Sequence, residues 1–272
     1  MKAIRVVTQP DGAFQIAPLP LPVQQRKGIA DPENYRQQAR GDAPIGRFST
    51  QRSNFLRAIV LSDGKFDGLA TQPGALLTFV ISGDFTLAAG EQTCQLEPGD
   101  VFLTDAKSSS GVTLDVRNQG RLVQIDVTKD WPGPEAEIQE PGTIIPRENG
   151  APPNFKRMYT GKDGKAFFGE FSQMFSSPPD LWTAPRPIQG FRMSCWSSGG
   201  IEYHPCVVNQ VGLVMSGGLE LQVSGDGATE VFYAGDICLA EDRTGEGHRN
   251  RKRGVSHTTY IVIADENLWP NK

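Results

Sequence analysis

Residues 76–105 read LLTFVISGDFTLAAGEQTCQLEPGDVFLTD, and residues 210–242 read QVGLVMSGGLELQVSGDGATEVFYAGDICLAED. The two stretches carry one pattern twice, and this internal repeat decides the fold. Ser82-Gly83 aligns with Ser216-Gly217 at an offset of 134 residues, 83 to 217. Gly99-Asp100 aligns with Gly235-Asp236 at an offset of 136, so the hairpin between is two residues longer in the second copy. Each copy is a series of short alternating apolar segments broken by Gly and Asp, which is the pattern of strands and turns. ISG and MSG end one strand and begin the next, and EPGD and YAGD supply the following turn. A last strand, RLVQIDV from Arg121, matches TTYIVIAD from Thr258.

Outward from the repeat, residues 131–153 (WPGPEAEIQEPGTIIPRENGAPP) contain six prolines and no helical period. Proline at this density blocks sheet hydrogen bonds and stiffens a connector, so the segment reads as a linker. Four parts follow: an N-terminal arm at 1–50, a barrel at 51–130, the linker at 131–153 and a second barrel at 154–272. In the proline-rich arm, Asp31-Pro32 marks a helix start, with Asp31 as N-cap and one short helix through DPENYRQQAR. The arm is expected to pack on the first barrel or on a partner subunit. The 30 Gly and 20 Pro among 272 residues argue against long helices and for short strands.

Charge and motif content exclude several classes. The net charge is −4, with no clustered cationic face of the kind that neutralises phosphates, so no nucleic-acid partner is expected. No apolar run approaches the ~20 residues that span a bilayer, and the first twenty residues lack a signal-peptide core. The four cysteines form no CxxC pair, which fits reduced thiols in the cytoplasm. There is no GxSxG elbow, no phosphate-cradling GxxxxGK[ST] loop and no dinucleotide-binding unit.

The doubled strand–SG–strand–hairpin–GD–strand pattern resembles the cupin superfamily, small jelly-roll barrels (double-stranded β-helices) that occur in tandem as bicupins. The resemblance implies an all-β chain of two cupin_2-like barrels and, from family habit, a homodimer. The first cupin motif is G-x5-H-x-H-x3,4-E-x6-G and the second G-x5-P-x-G-x2-H-x3-N; their three His and one Glu usually hold a divalent metal. In the C-terminal copy His204, Cys206, Gln210 and Cys238 fall on those positions. In the N-terminal copy Ala70, Gln72, Leu76 and Phe102 do, which implies a degenerate, metal-free barrel. The C-terminal copy further resembles single-domain cupins that pair HPxxxxQ with GxGHxxR. His204, Pro205, Gln210, Gly245, Gly247, His248 and Arg251 match, which implies that His248 supplies the second imidazole.

The candidate site follows from these positions. Glu202, His204 and Cys206 are spaced by two and share one strand face unless a bulge intervenes. His204, Gln210 and His248 are the metal candidates, with Cys238 or His257 as alternatives for the third ligand; Fe, Zn, Ni, Mn and Cu all suit such sites. Glu202 is the candidate acid–base group. Cys206, Cys238, Arg249, Arg251 and His257 are candidate ligand contacts, the arginines as carboxylate binders; the two cysteines read equally as small buried fillers. His257 shares a face with Thr259 and Ile261, and its side is undecided. The expected function is a cupin-type, divalent-metal-dependent oxygenase, isomerase or lyase acting on a small organic acid or related metabolite. The alternative is a non-catalytic, metal-free ligand-binding or structural bicupin.

Overall fold

The computed structural model describes residues 1–40, 51–70, 74–105, 111–147, 151–264 and Trp269. In chain order the strands are β1 (Ala3–Thr8), β2 (Phe14–Pro18), β3 (Val23–Arg26), β4 (Ile29–Ala30), β5 (Phe55–Leu61), β6 (Gly64–Phe66), β7 (Ala75–Ala89), β8 (Gln92–Leu96) and β9 (Val101–Thr104). They continue as β10 (Val112–Val127), β11 (Phe155–Thr160), β12 (Ala166–Glu170), β13 (Arg186–Trp196), β14 (Gly200–His204), β15 (Gln210–Val223), β16 (Thr229–Tyr233), β17 (Ile237–Glu241) and β18 (His248–Ile263). Among the described residues the α-helix is α1 (Pro32–Arg40), which starts where the capping signal places it: Asp31 Oδ1 accepts the Glu33 N–H at 2.9 Å. Among the described residues no helix is long and apolar enough to cross a membrane.

The chain divides into two compact units. Unit 1 comprises Met1–Pro22, Arg52–Pro141 and Met174–Pro187; unit 2 comprises Val23–Gln51, Gly142–Gln173 and Ile188–Lys272. The stretch read as one arm is thus shared out, with β1 and β2 in unit 1 and β3, β4 and α1 in unit 2. The proline-rich 131–153 stretch is shared out in the same way.

In unit 1 the β1–β2 hairpin lies beside β9, β9 beside β7, β7 beside β10 and β10 beside β5. The far ends of β7 and β10 pair with β8 and β6. Unit 2 repeats this strand for strand: the β11–β12 hairpin on β17, then β15, β18 and β13, with β16 and β14 on the far ends. Strands β3 and β4 add parallel partners to β13 and β14. Each unit is an all-β jelly roll in which two long strands serve both sheets, the arrangement that the cupin resemblance implied. The β1–β2 hairpin, read from sequence as part of an appendage, is the counterpart of β11–β12 and an integral edge of its unit.

The long strands change sheets at the two Ser-Gly pairs. Register shifts fall at Ser216 in unit 2 and opposite Ser82 in unit 1. Gly217 has φ +64°, and a Cβ there would stand 2.7 Å from the Val255 carbonyl oxygen; at Gly83 (φ +87°) it would stand 2.7 Å from the Gly120 Cα. Only glycine takes this conformation without strain and lets the facing strand approach so closely.

The two Gly-Asp pairs do a different task. Asp236 is 1% exposed, and its Oδ1 accepts from the Asn154 amide at 2.5 Å and the Arg147 guanidinium at 2.6 Å. Its Oδ2 accepts the Tyr233 amide at 2.6 Å. Asp100 repeats the scheme in unit 1 with the amides of Lys2 and Glu97 at 2.5 and 3.0 Å. Each carboxylate closes its own turn and ties it to the residue that leads into the edge hairpin. Burial pushes both carboxyl groups above the ordinary Asp pKa despite these donors.

Asp236→Ala removes the acceptor from two backbone amides and a guanidinium at once. We expect a loss of ~3 kcal/mol in urea-unfolding stability, with Asp236→Asn losing less because its amide oxygen keeps one acceptor. Equal, near-zero losses for both would refute the role assigned to this carboxylate.

Candidate functional site

Unit 2 carries a cavity of about 70 Å³ whose wall includes His204, Cys206 and His248. The site starts at the end of β14. The pairing of β14 with β18 shifts register between Ile201 and His204, and this irregularity breaks the expected alternation of 202, 204 and 206. His204 turns inward and is 4% exposed. The Glu202 side chain points outward, 45% exposed, and is ion-paired with Arg251. The sequence reading of Glu202 as an acid–base group in the site is therefore corrected: it does not face the cavity. Gly247 (φ +72°) lies so close to β14 that a Cβ there would stand 2.1 Å from the His204 carbonyl oxygen. That approach seats the loop before β18 on the strand end and brings His248 opposite His204.

The two imidazole centroids are 4.6 Å apart, with planes at 49°. Tyr35 of α1 meets His204 edge-on at 4.9 Å. The Nδ1 of His204 is 2.7 Å from the Glu202 carbonyl oxygen; a carbonyl only accepts, so Nδ1 carries the proton. Burial, followed by the neighbouring His248, lowers the His204 pKa to about 3, so the ring is neutral at pH 7. The Nδ1 of His248 is 2.7 Å from Asp242 Oδ2. Asp242 is fully buried, and its Oδ1 accepts no well-aligned hydrogen bond. The Cys206 amide donates to the Asp242 carbonyl oxygen at 3.0 Å. Burial and then the nearby Asp242 carboxylate push the Cys206 thiol well up. Ligand atoms of Cys206, Asp242 and His248 all lie within 4.8 Å of one another.

This donor set fits a divalent ion. A thiol, a carboxylate and an imidazole converge, all buried, and one carboxylate oxygen lacks a hydrogen bond that an ion would replace. The set differs from the expected His204, Gln210 and His248. Gln210 Oε1 accepts from Arg192 Nη2 at 2.9 Å, and its Nε2 donates to Cys206 Sγ at 4.0 Å. Its one basic atom thus faces a guanidinium, which also repels a cation, so Gln210 is corrected from ligand to hydrogen-bond bridge. His204 stands beside the trio rather than within it.

The remaining candidates scatter. Cys238 is 5% exposed in the apolar cluster of Leu219, Leu221 and Phe232, and burial raises its thiol; it lines the cavity as a small filler. Arg249 lies 5.7 Å from the Tyr203 ring centroid and Arg251 pairs with Glu202, so neither lines the cavity. His257 is buried elsewhere, with Nδ1 2.8 Å from Ser216 Oγ. In unit 1, Leu76 and Phe102 at the corresponding positions are fully buried apolar side chains, and Gln72 lies outside the described residues.

Sequence reasoning missed Asp242, Arg192, Arg26 and Tyr35. A signal existed for Arg192: it lies 135 residues after Arg57, within the repeat offset, and both are buried arginines. Arg26 and Tyr35 carry no local signal, because they reach the cavity from outside the repeat.

No family model and no curated protein matches the chain. Solved structures similar to it include a cupin 2 conserved barrel domain protein from Leptotrichia buccalis, at 10% identity and TM-score 0.37, covering 78% of this chain and 85% of that one. A protein of unknown function from Pseudomonas syringae pv. tomato matches at 13% and TM-score 0.33, covering 97% and 100%. A putative glyoxylate induced protein from Pseudomonas aeruginosa matches at 14% and TM-score 0.33, covering 78% and 75%. The fold assignment rests on the strand pairing described above and not on these likenesses.

His257 yields a pH prediction. Ser216 Oγ accepts the His257 backbone N–H at 3.2 Å and lies 2.8 Å from its Nδ1, and the buried ring is neutral at pH 7. Burial lowers its pKa from 6.5 to about 4. Between those values the unfolded chain binds the proton and the folded chain does not, so stability falls as pH drops from about 6.5 to about 4. We expect the difference in unfolding free energy between wild type and His257→Asn to shrink over that window, by at most ~1.4 kcal/mol per pH unit. A pH-independent difference would refute the neutral assignment.

Proposed function

We propose that unit 2 is a metal-dependent small-molecule enzyme whose divalent ion is held by Cys206, Asp242 and His248, with His204 beside them at the cavity wall. The observation that carries this reading is the buried convergence of three ligating side chains at a cavity. The thiol favours Zn, Fe or Cu over Mn or Ni. When bound, such an ion supplies Lewis acidity or oxygen activation, and the reaction class is an oxygenation, isomerisation or lyase step on a small organic acid or related metabolite.

The chain's own residues have separate tasks. Asp242 Oδ2 accepts the His248 Nδ1–H, which orients the ring and fixes its tautomer. His204 stays neutral at physiological pH and adds a polar ring without adding charge. Tyr35 packs against that ring, and Leu219 and Leu221 keep the inner wall dry. All four thiols are free, which supports a reducing, cytoplasmic setting.

Elemental analysis of untagged protein tests the proposal. We expect close to one divalent ion per chain, and a drop of ~10-fold or more in each of Cys206→Ser, Asp242→Ala and His248→Ala when the variants stay folded by circular dichroism. Metal content far below one per chain in the wild type, or content unmoved by all three substitutions, would overturn it in favour of a metal-free binding barrel.

A further inference from the structure

The same cavity is unbalanced in charge. Arg26, Arg192 and Lys252 line it, and no carboxylate is among the described residues that do. Arg26 donates to Tyr35 Oη at 3.1 Å and to Gln24 Oε1 at 3.2 Å, both neutral acceptors. Arg192 is 9% exposed, stacks over Tyr260 at 4.6 Å and donates to neutral Gln210. The ammonium of Lys252 is shielded from water and makes no hydrogen bond. It lies 5.7 Å from the centroid of Trp196, and the Arg26 guanidinium lies 5.6 Å from the same ring. Two further buried polar atoms on this wall, Ser194 Oγ and Asn250 Oδ1, also lack partners, and their residues are 3% and 8% exposed.

A buried ammonium without an acceptor is costly, and a cavity whose described lining includes Lys252 and Arg26 but no carboxylate favours a ligand that brings one. Trp196 adds a flat apolar face at the same point, suited to an unsaturated body. The cavity's size limits that body. At ~10–15 Å³ of such space per water, about 70 Å³ holds roughly five waters, and so a ligand of about benzoate size.

We propose that the unit 2 cavity takes a compact planar carboxylate, with Lys252 and Arg26 receiving the carboxylate and Trp196 packing against the unsaturated body. The inference rests on the reading of this cavity as the substrate site, but it does not require the ion. The carboxylate supplies the acceptors that Lys252 lacks, and Ser194 can complete the shell by donating its hydroxyl proton. The ligand's other end then lies toward the His204–His248 side of the wall.

Calorimetric titration of chelator-treated protein with benzoate, benzamide and cyclohexanecarboxylate tests the charge and the plane separately. We expect benzoate to bind ~10-fold or more tightly than benzamide, and more tightly than cyclohexanecarboxylate. Lys252→Met and Arg26→Gln are each expected to weaken benzoate ~10-fold while leaving benzamide unchanged, and Lys252→Arg to restore most of the loss. Equal affinity for benzoate and benzamide overturns the proposal, as does the absence of benzoate binding at ~10 mM. The wild-type comparison decides the matter even where a variant fails to fold. The two readings separate: metal content far below one per chain in the untagged protein, together with benzoate binding in this titration, would sink the metal reading and leave this one standing.

Discussion

The buried carboxylate of Asp236 is the constraint on which unit 2 is organised. It ties the turn between β16 and β17 to Asn154 and Arg147, and so fixes the β11 hairpin against β17. Strand β17 carries Cys238 on the cavity wall and leads directly into Asp242. A buried charge is stable only when its donors surround it, so these contacts form together or not at all. Asp100 plays the same part in unit 1, which explains why a Gly-Asp dipeptide is among the clearest marks of the repeat.

Given one scaffold used twice, the interiors diverge at a row of corresponding positions. Arg57, Gln124, Thr78 and Phe102 lie across adjacent strands in unit 1; Arg192, Tyr260, Gly212 and Cys238 do so in unit 2. Unit 1 packs its row. Phe102 is fully buried, Arg57 stacks on Trp182 at 4.1 Å, and the Arg57 guanidinium and Thr78 hydroxyl bracket the Gln124 amide. Unit 2 replaces phenylalanine by cysteine and threonine by glycine, which opens volume beside the retained arginine. Burial lowers both arginine pKa values to about 10, so both remain charged at pH 7. The difference between a packed barrel and a cavity is thus a matter of a few side-chain volumes on an unchanged backbone.

The cavity then combines two opposed electrostatic regions. Cys206 and His248 on its wall, with Asp242 next to them outside the lining, form a donor set for a cation; Lys252, Arg26 and Arg192 on the wall form a receiver for an anion. Gln210 lies between them, its Oε1 accepting a hydrogen bond from the Arg192 guanidinium and its Nε2 donating to the Cys206 sulfur. A neutral side chain at this point separates the two regions without favouring either.

Much of the fold was legible in the sequence because its signals are local. Alternation marks the strands, Ser-Gly and Gly-Asp mark bends and turns, and Asp31-Pro32 marks the start of α1. The nearness of His204 and His248 also followed from the HPxxxxQ and GxGHxxR resemblance. What the sequence could not determine depends on register and on partners distant along the chain. A shift between Ile201 and His204 turned Glu202 outward to Arg251, and a guanidinium from β13 occupied the oxygen of Gln210. Asp242, the counterpart of Asp105 at the end of the repeat, became a site residue only when the loop before β18 folded back to place His248 on it. Arg26 and Tyr35 entered from a segment some 170 residues upstream of His204. The sequence by itself determined the strands, their turns and the repeat, because those follow from backbone preferences of neighbouring residues. The tertiary structure alone decided which side chains share the cavity, because burial and charge compensation are settled across strands and not along them.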